Sequence, residues 1–127
     1  MEANMCGWFE IPVSDFDRAR KFYEKVFDIQ IHVQELGKTR MGWFPFAEDP
    51  QARGAGGSLV YNPDFYKPSS EGVLIYFSSK NIDQELDRVE KSGGVVLRKK
   101  TLISQEIGHM GLFKDSEGNR IALHSRK

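Results

Sequence analysis

The sequence is short of cysteine, of unbroken apolar runs and of surplus charge, and each shortage closes off a class of protein. Cys6 is the one cysteine in 127 residues, so no intramolecular disulfide can staple the fold as it does in many small secreted domains. No apolar run approaches the roughly 20 residues that cross a bilayer as a helix. Nor does a basic segment lead into an apolar stretch at the amino terminus, as it does in a secretory leader. A reducing, cytoplasmic setting with no membrane partner is the expectation. Eighteen Lys and Arg balance eighteen Asp and Glu, which leaves no basic surplus to attract nucleic acid. The basic cluster Arg98, Lys99 and Lys100 reads as a solvated strand end. Gly54, Gly56 and Gly57 lack the Lys-Ser/Thr that follows in a phosphate-cradling loop, and they lead into a strand.

What is present is apolar bulk. Nine Phe and two Trp, within a hydrophobic share of 39%, can fill a core although the mean hydropathy is only −0.49. A chain of 127 residues has the common size of one domain, so a single domain spanning 1–127 is expected.

Periodicity sets out the elements. Gly7 to Val13 is a short apolar strand, and Ser14-Asp15 offers side-chain oxygens to cap a helix. Phe16, Ala19, Phe22, Tyr23, Val26 and Phe27 recur at steps of three and four, which predicts an amphipathic helix over 16–27. Strands follow at Ile29 to Glu35 and Arg40 to Phe46, turning at Gly37-Lys38. A loop over 48–57 leads into a strand at Ser58 to Tyr61, which ends at Asn62-Pro63. The order then repeats: a strand at Gly72 to Phe77, an Asn81 cap, a helix marked by Ile82, Leu86 and Val89, and a stop at Ser92-Gly93-Gly94. Three more strands are expected at Val95 to Ile103, Ile107 to Lys114 and Asn119 to His124. Superposing the two apolar helix stripes gives an offset of 63 residues between Ala19, Tyr23 and Val26 and their counterparts Ile82, Leu86 and Val89. The chain therefore reads as two βαβββ modules, about 7–61 and 72–125, with 63–71 as the linker.

Two stretches carry a family resemblance. The run from Glu10 to Phe27, with an apolar strand, Asp15 and the Phe22-Tyr23 pair, resembles the opening of vicinal-oxygen-chelate proteins, which include glyoxalase, bleomycin-resistance proteins and extradiol dioxygenases. The run from Phe113 to His124 resembles their closing hairpin. The resemblance implies an α+β fold in which two βαβββ modules form a cupped mixed sheet around a cavity, with the helices outside. It also implies a metal held by side chains of the first and last strand of each module. Carried over position by position, those ligand sites fall on Trp8, Ser58, Leu74 and Ala122, none of which is a useful metal ligand. No cofactor is expected. A shift by two residues keeps the strand face and brings Glu10 and His124 into play as a displaced divalent-metal site.

Strand alternation puts Trp8, Glu10 and Pro12 on one face of the first strand, with Phe9, Ile11 and Val13 toward the helix. Trp8, Trp43 and Tyr76 are expected to line an aromatic cavity, where Glu10 supplies polarity and Ser58 and His124 complete the ligand-binding set. Glu10 has an alternative as a salt-bridge partner of Arg40 or Arg120. His124 and His109 are possible proton-transfer groups, His32 reads as surface, and Cys6 has no neighbour that would activate it. The leading functional expectation is a small organic molecule bound without a metal. The alternative is a lyase, isomerase or dioxygenase of the same superfamily, working through a displaced metal or through Glu10 and His124 as acid and base. A homodimer is expected, because open sheets with exposed edges invite pairing.

Overall fold

The computed structural model describes residues 3–127. Its first half runs β1 (Trp8–Pro12), α1 (Phe16–Phe27), β2 (His32–Leu36), β3 (Thr39–Trp43) and β4 (Gly56–Tyr61). The second runs β5 (Ile75–Ser78), α2 (Ile82–Val89), a 3-10 turn (Glu90–Ser92), β6 (Val95–Ser104), β7 (Gly108–Lys114) and β8 (Arg120–Ser125). Each half makes a four-stranded mixed sheet, ordered β1-β4-β3-β2 (sheet A) and β5-β8-β7-β6 (sheet B). In both, the first strand pairs parallel with the last and the other pairings are antiparallel. This is the expected α+β fold of two βαβββ modules, with two four-stranded sheets in place of one continuous sheet.

The helix ends follow local chemistry. Asp15 accepts from the Arg18 backbone N–H at 3.1 Å to cap α1. At the other end Asp28 takes up a left-handed conformation (φ 53°) and its N–H reaches the Glu24 carbonyl. The Ile29 N–H returns to that same carbonyl, which is why β2 begins at His32 and not at the expected Ile29. Asn81 caps α2 by accepting from Asp83 N–H. The caps Asp15 and Asn81 lie 66 residues apart, three more than the apolar stripes suggest. Sliding a helix by three residues leaves its stripe nearly in phase, so the stripe alone does not fix the offset. The basic cluster Arg98 to Lys100 lies inside β6 and not at a strand end.

Both helices and the facing sides of both sheets share one core. Phe9 and Ile11 on β1, Leu59 on β4, Phe77 on β5, Phe113 on β7 and Leu123 on β8 converge on Phe16, Phe22, Tyr23, Ile82 and Leu86. Phe9 meets Phe77 edge-on at 5.5 Å across the boundary between the sheets. The closing hairpin locks onto α1: the Tyr23 hydroxyl donates to Asp115 Oδ2 at 2.6 Å in a buried setting, and Glu117 accepts from the backbone N–H groups of Ser14 and Asp15 and from Arg18. Burial by itself would raise the Glu117 proton affinity, but Arg18, Asp15, Ser116 and Ser14 together hold its carboxyl at about 2. The faces of both sheets turned away from the helices remain for function.

Candidate functional site

Strand register decides which side chains share those faces. Glu10 on β1 pairs with Ser58 on β4, and Ser58 pairs with Trp43 on β3. Paired residues project to the same side of a sheet, so Glu10, Ser58 and Trp43 form a row, with Trp8 two residues along from Glu10. Sheet B repeats the pattern with different chemistry: Tyr76 pairs with Ala122, and Ala122 with Leu112. Tyr76 is thus the counterpart of Glu10, Ala122 of Ser58 and Leu112 of Trp43. His124 pairs with Ser78 and Met110 on that same face of sheet B. Of the six residues expected to bind a ligand, Trp8, Glu10, Trp43 and Ser58 come together on sheet A, while Tyr76 and His124 lie on sheet B.

An aromatic cluster roofs the sheet A row. Trp8 and Trp43 meet edge to face with ring centroids 5.7 Å apart and an interplanar angle of 74°. The third ring is Phe46, 5.9 Å from Trp43 and 6.3 Å from Trp8, and not the expected Tyr76, which the opposite sheet carries 48% exposed. Phe46 follows Pro45 just after β3 and lies over β4, where a Cβ at Gly56 would sit 2.5 Å from its ring. Trp8 is 39% and Phe46 57% exposed, whereas Ser58 beside them is 0% exposed. The Ser58 hydroxyl and the Trp43 indole N–H are shielded from solvent and have no hydrogen-bond partner. Unpaired buried polar atoms are uncommon in native structures, and two neighbours in one row mark a place built for something else.

Glu10 is held from the linker. The Tyr66 hydroxyl donates to Glu10 Oε1 at 2.8 Å, and that hydrogen bond, followed by the carboxylate charge, raises the Tyr66 pKa above its ordinary value. Neither Arg40 nor Arg120 pairs with Glu10 among the described residues. Arg40 goes to Glu35 at 3.1 Å and Asp17 at 3.8 Å, because it projects to the helix side, with its guanidinium 4.8 Å from the Phe16 ring centroid. Glu10 and Trp8 line a groove of about 440 Å³ between β1 and the start of β5 and β8, together with Lys67, Ser69, Val73 and Arg120. Trp43 and Phe46 border a second depression of about 470 Å³ beside His32 and Gln34.

The comparisons with known proteins agree with this fold. Residues 6–123 match the model of the Glyoxalase/Bleomycin resistance protein/Dioxygenase superfamily. The chain belongs to that superfamily. A glyoxalase/bleomycin resistance protein from Albidiferax ferrireducens T118 has a TM-score of 0.72 at 14% identity, covering 98% of this chain and 100% of that one. An antibiotic binding protein from Streptomyces sp. CB03234 has a TM-score of 0.65 at 21% identity, covering 100% and 99%. Glyoxalase I from Zea mays has a TM-score of 0.68 at 16% identity, and the match spans 45% of its length. At these identities the likeness is one of fold. No functionally curated protein matches the chain in sequence.

The superfamily resemblance implies a metal, and the residues at the implied positions do not fit one. Ser58 is the one oxygen donor among Trp8, Ser58, Leu74 and Ala122, while Ala122 is fully buried with no donor at all. Among the described residues no group of three or more His, Cys, Asp or Glu is placed to hold a cation. The two-residue shift does not restore a set, because Glu10 and His124 are two groups only and no third His, Cys, Asp or Glu among the described residues joins them. His124 Nε2 is also 2.6 Å from the Ile107 carbonyl oxygen, which engages that nitrogen as a donor.

Of the remaining titratable candidates, only His32 extends the row. His109 is half-buried on the helix-facing side of β7 with an unpartnered Nδ1, and Cys6 is exposed beside the groove. His32 is exposed, as its strand position suggests, and pairs with Trp43 at the edge of sheet A. Sequence reasoning missed Tyr66 and Phe46, since both lie outside regular elements. Tyr66 lies in the linker between Pro63 and Pro68, and Phe46, expected as the last residue of a strand, follows Pro45 beyond the end of β3 at Trp43.

Proposed function

We propose that the protein binds a small organic molecule on the helix-free face of sheet A and does so without a metal. The observation that carries this reading is the Glu10 carboxylate, oriented by Tyr66 at a groove it lines with Trp8, beside the partly exposed rings of Trp8 and Phe46. The Streptomyces neighbour, described as an antibiotic binding protein, supports sequestration as the role. Acid–base catalysis by Glu10 and His124 has less support, since His124 Nε2 is engaged by the Ile107 carbonyl.

A second copy of the chain completes the arrangement in this reading. The helix-free faces carry Trp8 and Phe46 on sheet A and Tyr76 on sheet B, all exposed in the single chain. A two-fold partner would lay one sheet face over the other and bury more than about 1,000 Å² in total. Sedimentation equilibrium showing one chain mass at all concentrations would remove the dimer.

Elemental analysis together with native mass spectrometry tests the core of the proposal. Purified protein is expected to hold less than stoichiometric zinc, nickel or iron, and chelators are expected to leave its melting temperature unchanged. One tightly held metal equivalent per chain would overturn the metal-free reading.

A further inference from the structure

We infer that the group held at the sheet A site is an organic cation, an alkylated ammonium carried by a small molecule. This rests on the proposed small-molecule site and goes further by naming the chemistry of its occupant. Three aromatic rings meet there, Trp43 standing at 74° to both Trp8 and Phe46, so the ring planes are turned in different directions. Aromatic faces carry negative quadrupole potential, and a corner of such faces is the arrangement that holds alkylammonium groups. Glu10, on the same sheet face two residues from Trp8, adds a carboxylate whose Oε1 is fixed by Tyr66 while Oε2 has no hydrogen-bond partner among the described residues. Lys67 and Arg120 share the groove with Glu10, yet no ion pair to Glu10 forms among the described residues. Sheet B lacks the combination: Leu112 and Tyr76 stand where sheet A has Trp43 and Glu10.

An alkylammonium also fits the roof in size. Ring centroids 5.7, 5.9 and 6.3 Å apart keep the three rings within reach of one cation, since the cation–π attraction extends to about 6 Å from a ring centroid. A flat anion would face the ring quadrupoles with the wrong sign.

Three probes of one shape and different charge test this: choline, the neutral 3,3-dimethylbutan-1-ol and the anion 3,3-dimethylbutanoate. Trp8 and Trp43 are the two tryptophans of the chain, so intrinsic fluorescence reports the site without a label, and calorimetry extends the measurement to variants. Choline is expected to saturate the signal with a Kd at least about tenfold below that of the alcohol, and to bind more weakly at high salt. Glu10→Gln is expected to raise the choline Kd about fivefold or more at an unchanged melting temperature. Trp43→Leu should do the same, so a folding defect in one variant does not hide the result. Equal or tighter binding of the alcohol would overturn the cation and leave the small-molecule site standing. Preference for the anion would do likewise and point to Arg120 and Lys67. Binding of none of the three would also overturn the cation, and the search for a co-purified ligand then decides the site itself.

Discussion

The Tyr66 hydroxyl donates to Glu10 Oε1 at 2.8 Å, so a residue of the linker between the two halves orients the carboxylate on the first strand. Glu10 is the reason the Tyr66 pKa stands above its ordinary value of 10.0, through the hydrogen bond first and the charge second. Replacing Glu10 by Gln is therefore expected to lower the Tyr66 pKa toward that ordinary value. A spectrophotometric pH titration, with Tyr66→Phe as the control that identifies the transition, reads the shift directly. An unchanged Tyr66 titration in Glu10→Gln would show that the two side chains are not joined in solution.

The pair Tyr23 and Asp115 fastens α1 to the closing hairpin. Both are buried, and desolvation raises the Tyr23 pKa well above its ordinary range, so the phenol stays a donor at any ordinary pH. Burial also raises the Asp115 pKa, against the opposing hydrogen bonds from Tyr23 and Asn119. Tyr23→Phe removes one donor from a buried carboxyl and is expected to cost about 1–3 kcal/mol in urea unfolding. A loss below about 0.5 kcal/mol would show that Asp115 finds another partner.

Acid sensitivity follows from Glu117. Its carboxyl is held at about 2 in the fold against an ordinary 4.5, so the folded state favours the ionised form. The stabilisation is complete above the unfolded value and is lost as pH falls from about 4.5 toward about 2. Glu117→Gln lacks this dependence. The stability gap between wild type and variant is expected to be widest above pH 5 and to close as the pH approaches 2. A gap independent of pH in chemical denaturation would contradict the assignment.

The fold was legible because its signals are local and repeated. Asp15 and Asn81 are good caps at the places where apolar periodicity starts, and the alternation of Trp8, Glu10 and Pro12 with Phe9, Ile11 and Val13 separates the two faces of β1 correctly. The sheet A row was legible as well, since strand alternation alone places Glu10 with Trp8. Other features depend on register and on loops. The pairing of Ser58 with both Glu10 and Trp43, the 66-residue spacing of the caps, and the swing of Phe46 and Tyr66 onto the face arise from contacts distant in sequence. Tyr76, expected in one cavity with Trp8 and Trp43, lies on the expected strand face but on sheet B, a placement that strand alternation does not give.

The most direct test of the account is native mass spectrometry of the protein as purified, in wild type and in Glu10→Gln, followed by release of any adduct under denaturing conditions. The account predicts an organic adduct on the wild-type protein that is released on unfolding and is depleted in the variant, with no stoichiometric metal in either. An adduct retained equally by Glu10→Gln, or a metal ion bound one per chain, would contradict it.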